Sequence, residues 1–169
     1  MRKSTILLAL ALALAAACLL PGCGKTEKAP EGFSFALTWN AYGVSSYDSA
    51  TGKLVKTTDA THPEDYVTEY RLTEKELGKV WQLLQELDAD SYPDEYDPGA
   101  GKSKPPMTLI LTVRSSEGEK TIAARRINAG YESPDPKGQK FLDACRAIEE
   151  LLTATEAWND LPEFEHLYE

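Results

Sequence analysis

Histidine is almost missing from this chain: His62 and His166 are the only two in 169 residues. Cysteine is nearly as scarce, with Cys18, Cys23 and Cys145 alone. That removes most familiar catalytic equipment. There is no H-E-x-x-H zinc helix and no G-x-S-x-G nucleophile elbow. Cys145 falls on the apolar stripe of a helix, where a free cysteine usually acts as a small hydrophobe. Basic residues are also in short supply, 18 against 27 acidic ones, for a net charge of −9. Phosphate backbones and anionic lipid surfaces are both met with basic faces, so nucleic acid is excluded as a partner and electrostatic adhesion to a membrane is disfavoured. No apolar run reaches the roughly 20 residues that cross a bilayer.

What is present begins at the N-terminus. Met1-Arg2-Lys3 carries two positive charges, and an unbroken apolar run of Leu, Ala and Ile follows from Ile6 to Leu20. A short basic start and an apolar core of that length form a secretory signal. Pro21-Gly22 ends the run. Leu20-Pro21-Gly22-Cys23 resembles the lipobox of bacterial lipoproteins: an aliphatic residue, a tolerated residue, Gly or Ala, then Cys. The resemblance implies that diacylglycerol is added to the Cys23 sulfur and that a dedicated peptidase cuts before it. Cys18 fits less well, because Ala15 holds its aliphatic position and it lies inside the apolar run. Two acyl chains give stable membrane attachment where one gives marginal attachment. Processing at Cys23 leaves 16 basic against 27 acidic residues, a net of −11, and no pair of cysteines for an intramolecular disulfide. Residues 1–22 are then the signal peptide, 23–31 the lipidated cysteine with a flexible tether, and 32–169 one domain, long enough to bury a core unaided.

Within the domain, Phe33 to Trp39 alternates apolar and small or polar residues, the period of a half-buried strand. Val44 to Tyr47 continues it after a kink at Gly43. Asp48 to Gly52 has turn chemistry, and Lys53 to Thr58 returns as a strand. Tyr66 to Leu72 alternates again and runs into Thr73-Glu74-Lys75-Glu76, a capping box with Leu72 and Leu77 at the staple positions. The helix that follows carries Leu77, Val80, Trp81, Leu84 and Leu87 on one stripe. Met107 to Arg114 is a strand with apolar residues on both faces, hence central. Ser115 to Gly118 turns it back into Lys120 to Ile127. Asp135-Pro136 caps a second amphipathic helix with Phe141, Cys145, Ile148 and Leu152 inward. Trp158, Leu161, Phe164 and Leu167 dock the tail. The expectation is an α+β two-layer sandwich. An antiparallel sheet of about five strands carries two helices on one face, in the order β-β-β-α-β-β-α.

The loop from 88 to 106 holds two suggestive patterns. Gly99-Ala100-Gly101-Lys102-Ser103 looks like the end of a P-loop, but Tyr96 stands where that motif needs glycine, and Lys104-Pro105-Pro106 cannot open a helix. Asp88, Asp90, Asp94, Glu95 and Asp97 cluster within ten residues. An EF-hand counted from Asp88 would need Gly and Glu where Pro93 and Gly99 stand. The loop reads as a solvated acidic segment. A looser calcium loop using Asp88, Asp90, Asp94 and Asp97 is the alternative.

The mature region as a whole resembles uncharacterised lipoproteins of Gram-positive bacteria. The residues that carry this are the lipobox, Tyr47-Asp48-Ser49 before a Thr-Gly turn, Leu72-Thr73 opening a helix, Tyr92-Pro93 after it, and Leu161-Pro162 with a closing Tyr168. The resemblance implies no activity, cofactor or catalytic residue. The expectation for function is a non-enzymatic binding module for a protein or small ligand, held on the outer side of the cell membrane by lipid on Cys23. The rival expectations are a carboxylate-dependent hydrolase or a calcium-dependent module built on residues 88–97.

Overall fold

The computed structural model describes residues 27–165. β1, Ser34–Trp39, keeps the expected alternation, with Phe35, Leu37 and Trp39 buried and Ser34, Ala36 and Thr38 partly exposed. The chain does not kink at Gly43; it reverses. Asn40, Tyr42 and Gly43 have φ of 76°, 55° and 74°, and β2, Ser45–Asp48, pairs antiparallel with β1. The left-handed backbone that this reversal requires costs glycine little and asparagine only modestly. One expected strand is therefore two, and the sheet has six strands rather than about five.

β3, Lys53–Val55, and β4, Val67–Glu69, follow, each shorter than its alternating stretch. β5, Met107–Ser115, and β6, Gly118–Ile127, form the long hairpin. The sheet is antiparallel throughout, in the order β4-β3-β2-β1-β5-β6. β5 lies inside it, as its two-sided apolar pattern requires.

α1, Glu74–Leu87, opens on the capping box. Thr73 Oγ1 accepts from the Glu76 N–H at 3.3 Å, and the Glu76 carboxylate accepts from the Thr73 N–H at 2.8 Å. α2, Pro136–Thr153, starts on Asp135, whose carboxylate accepts from the Gly138 N–H at 2.7 Å. A short α3, Glu156–Asn159, capped by Thr155, was not legible in the sequence. The order is thus β-β-β-β-α-β-β-α-α, an α+β fold. α1 packs on α2, α2 on β1, and Trp158 of α3 on Trp39 with ring centroids 5.6 Å apart. Phe35, Leu37, Leu109, Leu111, Ile122, Phe141, Ile148 and Leu152 form the centre of the core. No helix among the described residues is long and apolar enough to cross a membrane.

Two details position the functional surfaces. Within the stretch expected to be free tether, Lys28 pairs with Glu74 at 3.1 Å and Ala29 packs against the core. The two sheet edges also differ. Beside β6, the Ala123 N–H donates to the Asp94 carbonyl at 2.7 Å and the Tyr96 N–H to the Ala123 carbonyl at 2.9 Å, so the loop after α1 closes that edge at its middle. Beyond β4 no further strand pairs among the described residues.

Candidate functional site

The uncovered edge faces a groove of about 750 Å³. One wall is β4 with Tyr70; the other is the end of α2 and the start of α3, with Leu151, Ala154 and Glu156. Its lining carries three carboxylates, Glu76, Glu156 and Asp160, and no basic side chain. Glu76 is held in place by its capping role and by the Tyr70 hydroxyl, which donates to it at 3.2 Å. Burial would raise its carboxyl, but the Thr73 N–H and hydroxyl, with Tyr70, hold it below the usual carboxylate range. Glu76 is therefore anionic at neutral pH, and the groove is negatively charged.

A second concavity, about 610 Å³, lies at the β5–β6 hairpin, lined by Pro30, Trp81, Gln85, Asp88, Asp90, Val113 and Lys120 among others. Trp81, expected in the core, is only partly buried here and stands edge-on to Phe33 at 5.0 Å. This cleft brings together two of the four aspartates singled out in the sequence. The others are occupied elsewhere. Asp94 binds Lys120 at 2.6 Å, and Asp97 accepts from the Gly99 N–H at 2.9 Å in a local turn. Glu95 lies 3.7 Å from Arg125. Asp88 is the left-handed residue that ends α1, and Asp90 sits in the short 3₁₀ turn after it. All five acidic side chains are on exposed residues. Among the described residues, no three His, Cys, Asp or Glu side chains are grouped to hold a metal ion. The P-loop-like segment remains an irregular loop, where the Ser103 hydroxyl donates to the Pro105 carbonyl at 2.6 Å.

The strongest perturbed groups lie in neither concavity. Cys145 and Glu149, one turn apart on α2, face Tyr131. The Tyr131 hydroxyl and Glu149 Oε2 are buried and lack a hydrogen-bond partner in good geometry. Burial, and then the charge of Glu149, push the Tyr131 phenol and the Cys145 thiol well up. Burial and the neighbouring Glu150 raise the Glu149 carboxyl, against the opposing Tyr131 hydroxyl and Arg146. Arg146 covers the Tyr131 ring at 5.7 Å and donates to its carbonyl at 3.0 Å. Tyr131 and Cys145 are buried, so they are poorly placed to meet a substrate.

Lys56 was missed by sequence reasoning, since a lysine in a strand is ordinarily solvated. It is 3% exposed. Its ammonium donates to the Leu161 carbonyl at 3.2 Å, lies 3.9 Å from the Glu163 carboxylate, and sits 5.6 Å from the Trp158 ring centroid and 5.8 Å from that of Phe164. The tail thus docks through Lys56 as well as through Trp158 and Leu161. The Tyr66 hydroxyl adds a bond to the Glu163 carbonyl at 2.9 Å. His62 is an exposed loop residue 3.5 Å from Glu64. Cys18, Cys23, His166, Leu167 and Tyr168 lie outside the described residues. No family model matches this chain, and neither does any curated protein or solved structure.

Proposed function

We propose that this chain is a lipid-anchored extracytoplasmic protein whose domain is a non-enzymatic binding module. The observation that carries the binding part is the unequal treatment of the sheet edges. Folded proteins usually cover or blunt an exposed edge, because its main chain is a template for pairing. Here the loop after α1 bonds the β6 edge at Ala123, while the three-residue β4 edge, blunted by its shortness alone, opens on the acidic groove. The perturbed titratable groups favour this reading over a hydrolase. Glu76 and Tyr70, the ones lining the groove, are committed to a helix cap, Tyr131 and Cys145 are buried in the core, and Glu149 Oε2 is turned in against them.

The anchor rests on the signal core and on Leu20-Pro21-Gly22-Cys23. With lipid on Cys23, residues 24–27 precede Lys28, whose ammonium meets Glu74. Four extended residues reach about 14 Å, so the domain would work close to the membrane surface. Intact mass spectrometry of detergent-extracted native protein tests the anchor. The expected species begins at Cys23 and carries acyl mass. Cys23→Ala is expected to give uncut precursor or protein shed to the medium, and Cys18→Ala to change nothing. A native protein that starts elsewhere, carries no lipid and washes off in high salt would refute the proposal.

A further inference from the structure

The backbone of β4 has a defined phase. The Lys56 N–H donates to the Tyr66 carbonyl at 2.9 Å, and the Tyr70 N–H donates to the Gly52 carbonyl at 2.7 Å. In an antiparallel ladder the main-chain groups of successive residues point to alternate sides. Tyr66, Thr68 and Tyr70 therefore turn toward β3, while the N–H and C=O of Val67 and Glu69 turn to the free side. Val67 is part of the groove lining, and side chains of α2 and α3 form the far wall. An edge strand beside a helix-walled groove is the geometry by which an extended peptide joins a sheet. Main-chain bonds hold such a peptide, and alternate side chains reach the groove.

The lining determines the partner. Glu76, Glu156 and Asp160 line the groove with no basic side chain beside them in the lining, and the nearby Lys79 acts on Glu76 alone. A second copy pairing β4 to β4 would set these carboxylates against their own kind, and an acidic segment would meet the same repulsion. We infer that the β4 edge receives an extended basic segment of a partner protein, bound as a seventh strand over Glu76, Glu156 and Asp160. This rests on the binding-module reading above. The short span of β4 limits the register to a few residues, so affinity comes from two main-chain positions and the charge match.

The test uses the full lipidated protein in detergent micelles. Its probe is a synthetic peptide with the core Lys-Val-Thr-Val-Lys, compared with the same peptide carrying Glu in place of Lys. The basic peptide is expected to bind saturably and at least about tenfold more tightly than the acidic one. It is expected to slow amide exchange at Val67 and Glu69 about tenfold or more. The double variant Glu156→Gln/Asp160→Asn is expected to melt at the parent temperature and to lose most of the charge preference. Equal binding of both peptides, no binding of the basic one, unchanged exchange at Val67 and Glu69, or dimerisation through β4 would each overturn the inference. Photo-crosslinking in the native envelope separates this failure from that of the binding-module reading. A crosslinking residue at Thr68 is expected to capture a partner through a basic segment. Capture only from Gln85, in the hairpin cleft, would overturn the strand-addition site and leave a binding module. Capture from neither would count against both.

Discussion

Gly138, in the first turn of α2, offers a sharp test of how the domain is closed. A β-carbon there would lie 2.1 Å from the Pro98 carbonyl oxygen and 2.7 Å from Ser133 Oγ. The carbonyl is backbone and cannot rotate away, so Gly138→Ala must push the loop off the helix by on the order of 1 Å. Overpacking of this kind costs about 1–3 kcal/mol. Two hydrogen bonds at the contact are also at risk: Ser133 Oγ to the Pro98 carbonyl, and the Gly138 N–H to Asp135. Each contributes about 1 kcal/mol. Alanine recovers about 1 kcal/mol through its better helix propensity. The net expectation is a loss of about 3 kcal/mol, and at about 4 °C per kcal/mol for a domain of this size Tm falls by roughly 12 °C. Gly101, in the same loop, has nothing within 4 Å of its built β-carbon and no left-handed φ, so Gly101→Ala is the control and is expected to be neutral. Differential scanning calorimetry of both variants decides the matter. If Gly138→Ala melts at or above the parent temperature, the loop does not rest on α2.

Three further outcomes follow from the same structure. Glu149 has a folded-state pKa raised by burial, so its contribution to stability is greatest below its unfolded pKa and is lost as pH rises through the folded value. Denaturant titrations across pH are therefore expected to show Glu149→Gln removing part of the fall in stability toward neutral pH; an unchanged profile would contradict the buried placement. The Cys145 thiol, fully buried and pushed up in pKa, is expected to resist iodoacetamide at pH 8 and to react completely in denaturant; rapid native labelling would show that α2 opens. Asp88, Asp90, Asp94 and Asp97 have separate local settings, so calcium is expected to give neither heat in calorimetry nor a shift in Tm; a saturable shift would restore the calcium reading.

Much of this fold was legible in the chain because its signals are local. Thr73 and Glu76 cap α1 through side chains three residues apart, and Asp135-Pro136 starts α2. Period-two alternation assigned Phe35, Leu37 and Trp39 to the buried face. Alternation reports which face a residue occupies and nothing of the direction of the chain. The Asn40–Gly43 reversal keeps the apolar residues on the same face, so a hairpin looked like one kinked strand. α3 escaped notice because a four-residue helix has no periodicity to read.

The candidate site was less legible, because it is made of distant pieces. Val67, Glu76, Glu156 and Asp160 share a groove only after α2 has returned along the sheet to β4. The acidic run from 88 to 97 was conspicuous in sequence, yet folding divides it between a helix end, two ion pairs and a local turn. The sequence by itself determined the faces of the strands, the two long helices and the acidic balance, since each depends on residue type and short-range spacing. Tertiary structure alone decided that a loop bonds one sheet edge and leaves the other open, that Lys56 is buried by the tail, and that Glu149 turns its carboxylate in against Tyr131. Those outcomes depend on which distant segments pack together, and spacing along a chain does not encode that.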